Sequence, residues 1–86
     1  MNDQAPASTI DLLKLAAFEL GGITLPALVE SDYLTALGID SVLGVEICAN
    51  IEDRLGLRFS DDDLGRVATV GDLVRLVEKA RGEGAA

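Results

Sequence analysis

The chain has 86 residues, 49% of them hydrophobic, with 15 acidic and 7 basic side chains and a net charge of −8. That length suits one domain with one modest core, and the apolar share is too high for a disordered chain. An acidic surface repels nucleic-acid backbones and anionic membranes, so both are excluded as partners and proteins with basic patches are expected instead.

Residues 1–8 are polar and read as a flexible N-terminus. They lack the basic start and apolar stretch of a signal peptide, which points to the cytoplasm. Ser8 followed by Asp11 resembles a capping box with Asp in place of Glu. A first helix is predicted over residues 9–20, with Ile10, Leu13, Ala16, Ala17 and Leu20 on one face. Leu12, Leu15 and Phe18 make its other sides apolar too, so packing on two sides is expected. Gly21-Gly22 ends it, because glycine accepts a left-handed terminus.

Residues 21–39 form a long connection containing Pro26 and Gly38. Its apolar residues include Val29, Tyr33 and Leu37, which predicts an ordered loop lying across the helices with a short helical turn.

The second helix is predicted to start at Asp40-Ser41, either of which can cap it, and to run to Leu55 before Gly56. Its wheel places Val45, Ile47, Cys48, Ile51 and Leu55 on the buried side. Leu43, Glu46, Asn50 and Asp53 form the exposed stripe. Ser60 then caps one short turn over residues 61–64, with Asp61, Asp62 and Asp63 at the favourable end of its dipole. Thr69 and Asp72 open the last helix, predicted over residues 70–81, and residues 82–86 read as a flexible tail. The predicted fold is all-α: a small four-helix bundle of three main helices and one short helix.

The chain contains no His and one Cys, which excludes Ser-His catalysis, an intrachain disulfide and the common zinc sites. Cys48 reads as a core residue. The three aspartates do not match a calcium loop, so no metal is expected. Three aromatic residues are too few for a base-stacking platform. Ser41 stands where free N–H groups and the positive end of a helix dipole converge. No available residue type activates it as a nucleophile, so it reads as a modification site rather than a catalyst.

Leu37-Gly38-Ile39-Asp40-Ser41-Val42, followed by Val45-Glu46-Ile47, resembles the prosthetic-group site of acyl carrier proteins. The resemblance continues through Ile51-Glu52-Asp53-Arg54-Leu55-Gly56-Leu57, Phe59-Ser60-Asp61-Asp62-Asp63 and Thr69-Val70-Gly71-Asp72-Leu73-Val74. It implies a free-standing, non-catalytic carrier with residues 9–81 as the carrier domain. It implies 4′-phosphopantetheine, taken from coenzyme A, on Ser41, with Asp40 as the acidic neighbour. Val42, Leu43, Glu46, Ala49 and Asp53 fall where the family meets its partners. Those partners are a phosphopantetheinyl transferase and acyltransferase and ketosynthase-type enzymes with basic patches. A monomer is expected.

Val42 replaces the motif's Leu, Leu43 and Gly44 replace residues that are often polar, and Ser60 replaces a Pro. Residues 62–69 look closer to discrete carriers of bacterial aromatic polyketide pathways. The expected role is therefore to hold acyl or polyketide intermediates as thioesters. Fatty-acid carriers and peptidyl or aminoacyl carriers are the alternatives, although the latter usually show Gly-Gly-x-Ser. A helical adaptor that is never modified is the alternative of another class.

Overall fold

The computed structural model describes residues 8–84. Helix α1 spans Thr9–Gly21, α2 spans Ser41–Leu55, α3 spans Asp61–Leu64 and α4 spans Val70–Gly84. A single 3-10 turn, Thr35–Leu37, interrupts the long connection between α1 and α2. Among the described residues no strand forms beyond one isolated bridge, Tyr33 to Thr69. The four helices match the expected all-α bundle.

The caps follow from side-chain chemistry. Ser8 Oγ accepts from the Asp11 N–H at 3.1 Å, and Ser60 Oγ accepts from the Asp63 N–H at 3.1 Å. At α4 the arrangement is reciprocal. Thr69 Oγ1 accepts from the Asp72 N–H at 3.1 Å, and Asp72 Oδ2 accepts from the Thr69 N–H at 3.1 Å. Two orphan amide groups are thereby satisfied by one pair of side chains. Helix α4 continues to Gly84, past the expected end at residue 81. No proline stands there to stop it, and a glycine weakens a helix without ending it. Residues 1–7 and 85–86, part of both expected flexible ends, lie outside the described residues.

The core sits where α1, α2 and α4 meet. Leu13, Ile47, Ile51, Val70, Leu73 and Val77 are each less than 2% exposed. Among the described residues no polar or charged residue is buried with them. Helix α1 packs against α2 and α4, and of its other apolar side chains Leu12 joins the core while Leu15 and Phe18 are exposed; Leu20, expected on the core face, is exposed too.

The long connection is ordered, as expected. Leu25 and Ile39 are buried, while Ile23, Leu28, Leu34 and Leu37 are half-buried against the core. Val29 and Tyr33 are exposed, against expectation. Backbone bonds hold that stretch in place instead. The Leu34 N–H donates to Ala68 O at 3.0 Å, Val70 N–H to Asp32 O at 2.9 Å, and Gly71 N–H to Glu30 O at 2.9 Å. Gly71 permits this approach, because a Cβ there would stand 3.0 Å from Glu30 Cβ. The connection is thus strapped to the start of α4, and its far end delivers the chain to Ser41.

Candidate functional site

Three residues in a row set the start of α2. Gly38 closes the 3-10 turn at φ 89°, a conformation that disfavours any side chain. Ile39 is then buried and donates its N–H to Leu34 O at 3.1 Å. Asp40 follows as the N-cap, its Oδ1 accepting from the Leu43 N–H at 2.8 Å. Both candidate caps were open in the sequence, and Asp40 takes the role. Ser41 is therefore the first residue of the helix, exposed, and its hydroxyl has no hydrogen-bond partner among the described residues.

The Gly44 N–H donates to Asp40 O at 2.8 Å, and Asp40 occupies the Leu43 N–H. The first two amides of α2 are left without intrahelical acceptors, as at any helix start. An anionic group on Ser41 Oγ would lie at the positive end of this dipole, where such amides favour it. The local chemistry thus fits a phosphodiester on this hydroxyl. Among the described residues no side chain hydrogen-bonds to Ser41 Oγ to draw off its proton, as an activated nucleophile needs.

Beside Ser41 lies a cleft of about 420 Å³. Ser41, Gly44, Val45 and Cys48 line it from α2, and Leu64 and Val67 line it from α3 and the segment after it. Ser41, Gly44 and Cys48 recur at the helical repeat and so share one wall. Val45, expected on the buried side, is 61% exposed. That flank of α2 faces the cleft rather than another helix. Cys48 is buried as expected, and its thiol pKa is pushed up to about 11, first by burial and then by the charge of Glu52.

The expected exposed stripe is also rotated. Val42, Glu46, Ala49 and Asp53 are exposed, whereas Leu43 and Asn50 are half-buried. Helix α1 covers that flank. A Cβ on Gly21 would stand 2.6 Å from Leu43 Cδ2. Asn50 Oδ1 accepts from Arg54 Nε at 2.8 Å, and Arg54 pairs with Glu19 of α1 at 2.8 Å. Leu43 is thus corrected from rim to partial core. Asp63 of the acidic turn is paired with Lys79 Nζ at 2.9 Å. Among the described residues no acidic or thiol cluster is arranged to hold a metal ion, and no helix is long and apolar enough to cross a membrane.

Sequence reasoning missed the cleft and Gly44. The cleft depends on where the long connection runs, which no periodicity reveals. The excess of apolar residues in that connection was the signal available.

Residues 11–77 match the family described as phosphopantetheine attachment site. The acyl carrier protein of Rhodococcus erythropolis is 40% identical over 57 residues, 66% of this chain. The chain spans 63% of that relative's length. Among solved structures, the acyl carrier protein of Thermotoga maritima superposes with a TM-score of 0.81 at 28% identity, over 86% of this chain and 87% of its own. A 3-oxo-butyl acyl carrier protein, an intermediate mimic from the actinorhodin polyketide synthase of Streptomyces coelicolor, gives a TM-score of 0.69 at 30% identity. The match covers 94% of this chain and 98% of that one. The chain belongs to the phosphopantetheine attachment-site family, the acyl carriers, whose members bear a covalent 4′-phosphopantetheine and do no catalysis themselves.

Proposed function

We propose that Ser41 bears the 4′-phosphopantetheine and that the chain holds acyl or polyketide intermediates for partner enzymes. The observation that carries this reading is the free, exposed Ser41 hydroxyl at the first position of α2, beside an apolar cleft. Once attached, the group supplies a terminal thiol that holds cargo as a thioester. The chain's own residues do the rest. Asp40 fixes the helix start, the amides there meet the phosphate charge, and the cleft offers cargo a place out of water. Cys48 stays protonated and does not compete for the acyl group.

A polyketide pathway is favoured over fatty-acid synthesis. Its support is the near-complete overlap with the actinorhodin carrier and the character of residues 62–69. Exposed Val42, Glu46, Ala49 and Asp53 offer a partly acidic docking face to a phosphopantetheinyl transferase, acyltransferase or ketosynthase with basic patches. Leu43 stands at the edge of that face. The site of action in this reading is the cytoplasm.

Intact mass after incubation with coenzyme A and a phosphopantetheinyl transferase tests the assignment. One phosphopantetheinyl group is expected on the chain and none on Ser41→Ala. A mass gain that persists in Ser41→Ala overturns it. Elongation by a polyketide ketosynthase, compared with a fatty-acid ketosynthase, then decides the pathway.

A further inference from the structure

Gly44 occupies the interior of α2, where glycine weakens a helix relative to alanine. Two ordinary reasons for a helical glycine do not apply here. Its φ is not positive; among the described residues only Gly22, Gly38 and Gly56 have positive φ. Nor does close packing demand it, since a Cβ at Gly44 would meet only Ile39 Cγ2, at an ordinary 3.8 Å. Gly21 and Gly71 differ, with contacts of 2.6 and 3.0 Å awaiting a Cβ. The missing side chain leaves room beside Ile39, which a Cβ would only touch. Gly44 and Ile39 both line the cleft, so a side chain at this position would project beside Ile39 into that volume.

The position matters because of its place between Ser41 and Cys48. It is one turn from the serine and one turn from the thiol, on the same wall of the cleft. We propose that Gly44 is a specificity-determining residue: by leaving the α2 wall open, it sets how bulky an apolar acyl group the cleft admits. This rests on the reading of Ser41 as the attachment point and of the cleft as the cargo's place. The class of cargo so favoured is an acyl chain larger than acetyl. Longer side chains at this position narrow the cleft without touching the attachment serine.

The test uses the phosphopantetheinylated chain and its Gly44→Ala and Gly44→Leu variants, each unloaded, acetylated and octanoylated. Intact mass first reports loading. Failure to load any of the three chains strikes the Ser41 reading, and with it the role of Gly44. Melting temperatures of the loaded chains test Gly44 alone. The measurement is the change in melting temperature on octanoylation, because a group that binds the folded state alone stabilises it. The unsubstituted chain is expected to gain roughly 4 °C or more with octanoyl and much less with acetyl. Gly44→Ala is expected to melt higher when unloaded, since a better helix former stands there, and to show a smaller gain with octanoyl. Gly44→Leu is expected to lose about half of the gain or more. If Gly44→Leu does not fold, Gly44→Ala decides alone. Equal gains in the unsubstituted chain and the variants overturn the proposal. So does a lower melting temperature for unloaded Gly44→Ala, which would show that packing requires the glycine after all.

Discussion

Leu43 fills the space that a side chain on Gly21 would need: a Cβ on Gly21 would lie 2.6 Å from Leu43 Cδ2 and 3.3 Å from Cδ1. The contact joins the last residue of α1 to the first turn of α2 and turns Leu43 inward. Leu43, two residues from Ser41, therefore packs against α1.

The first prediction rests on that contact. Leu43→Asp places a carboxylate against the apolar end of α1 and should lower the melting temperature by more than about 4 °C, the shift expected for a loss of about 1 kcal/mol. Leu43→Ala should cost about 1–2 kcal/mol, below the range of a fully buried leucine. Gly21→Ala should destabilise the unsubstituted chain but be neutral or stabilising once Leu43→Ala has cleared the space. Additive effects in this double-mutant cycle would mean that the two residues are not in contact.

Charge on the outer face of α2 is expected to act on encounter rather than on stability. Glu46 and Asp53 are exposed and lie on one stripe. Glu46→Lys should leave the melting temperature within the shift of a ~0.5 kcal/mol surface change. It should slow loading by a basic transferase at low salt, and the defect should shrink as salt screens the field. Glu78→Lys, on α4, is the control and should load at close to the normal rate. An unchanged rate for Glu46→Lys at low salt would remove Glu46 from the docking face.

The local chemistry of this fold was legible in the sequence, and the arrangement of neighbours was not. Ser8, Ser60 and the Thr69–Asp72 pair cap helices where their spacing predicts, because a cap involves only residues three apart. The buried faces around Leu13, Ile51 and Val77 also follow from periodicity. The errors cluster on α2. A helical wheel fixes angles around one axis but does not say which neighbour stands at which angle. Here α1 lies against Leu43 and Asn50, and an open cleft lies beside Val45. Both placements depend on the path of the connection between α1 and α2. Its backbone bonds to the start of α4 link residues distant in sequence, and Val29 and Tyr33 stay exposed because those bonds hold the stretch. Ser41 is proposed from its place in a motif that resembles a known family, whereas the cleft beside it required the fold.

The last prediction concerns Cys48. Its thiol pKa lies at about 11 rather than the ordinary 9.0, with burial as the main cause and Glu52 as the second. Ionisation is disfavoured in the folded chain and free in the unfolded one. Between pH 9 and about 11 the unfolded state loses its thiol proton while the folded state keeps it. The unfolded state therefore binds fewer protons, and stability falls as pH rises through that window. Well below pH 9, where both states keep the proton, the thiol contributes almost no pH dependence. Lysine and tyrosine side chains ordinarily titrate near this range. The comparison must therefore be with Cys48→Val, which removes the thiol and keeps an apolar side chain. The stability difference between the two chains should be flat from pH 6 to 8 and should shift against the cysteine chain above pH 9. Denaturant melts at each pH measure it. A difference that stays flat to pH 11 would show that the folded thiol ionises as easily as the unfolded one. The same protonated thiol should react slowly with aromatic disulfide reagents at pH 8, because the thiolate is the nucleophile. That inertness bears on the carrier role. A thiolate in the cleft wall would capture acyl groups from a neighbouring thioester, and a buried, neutral thiol does not.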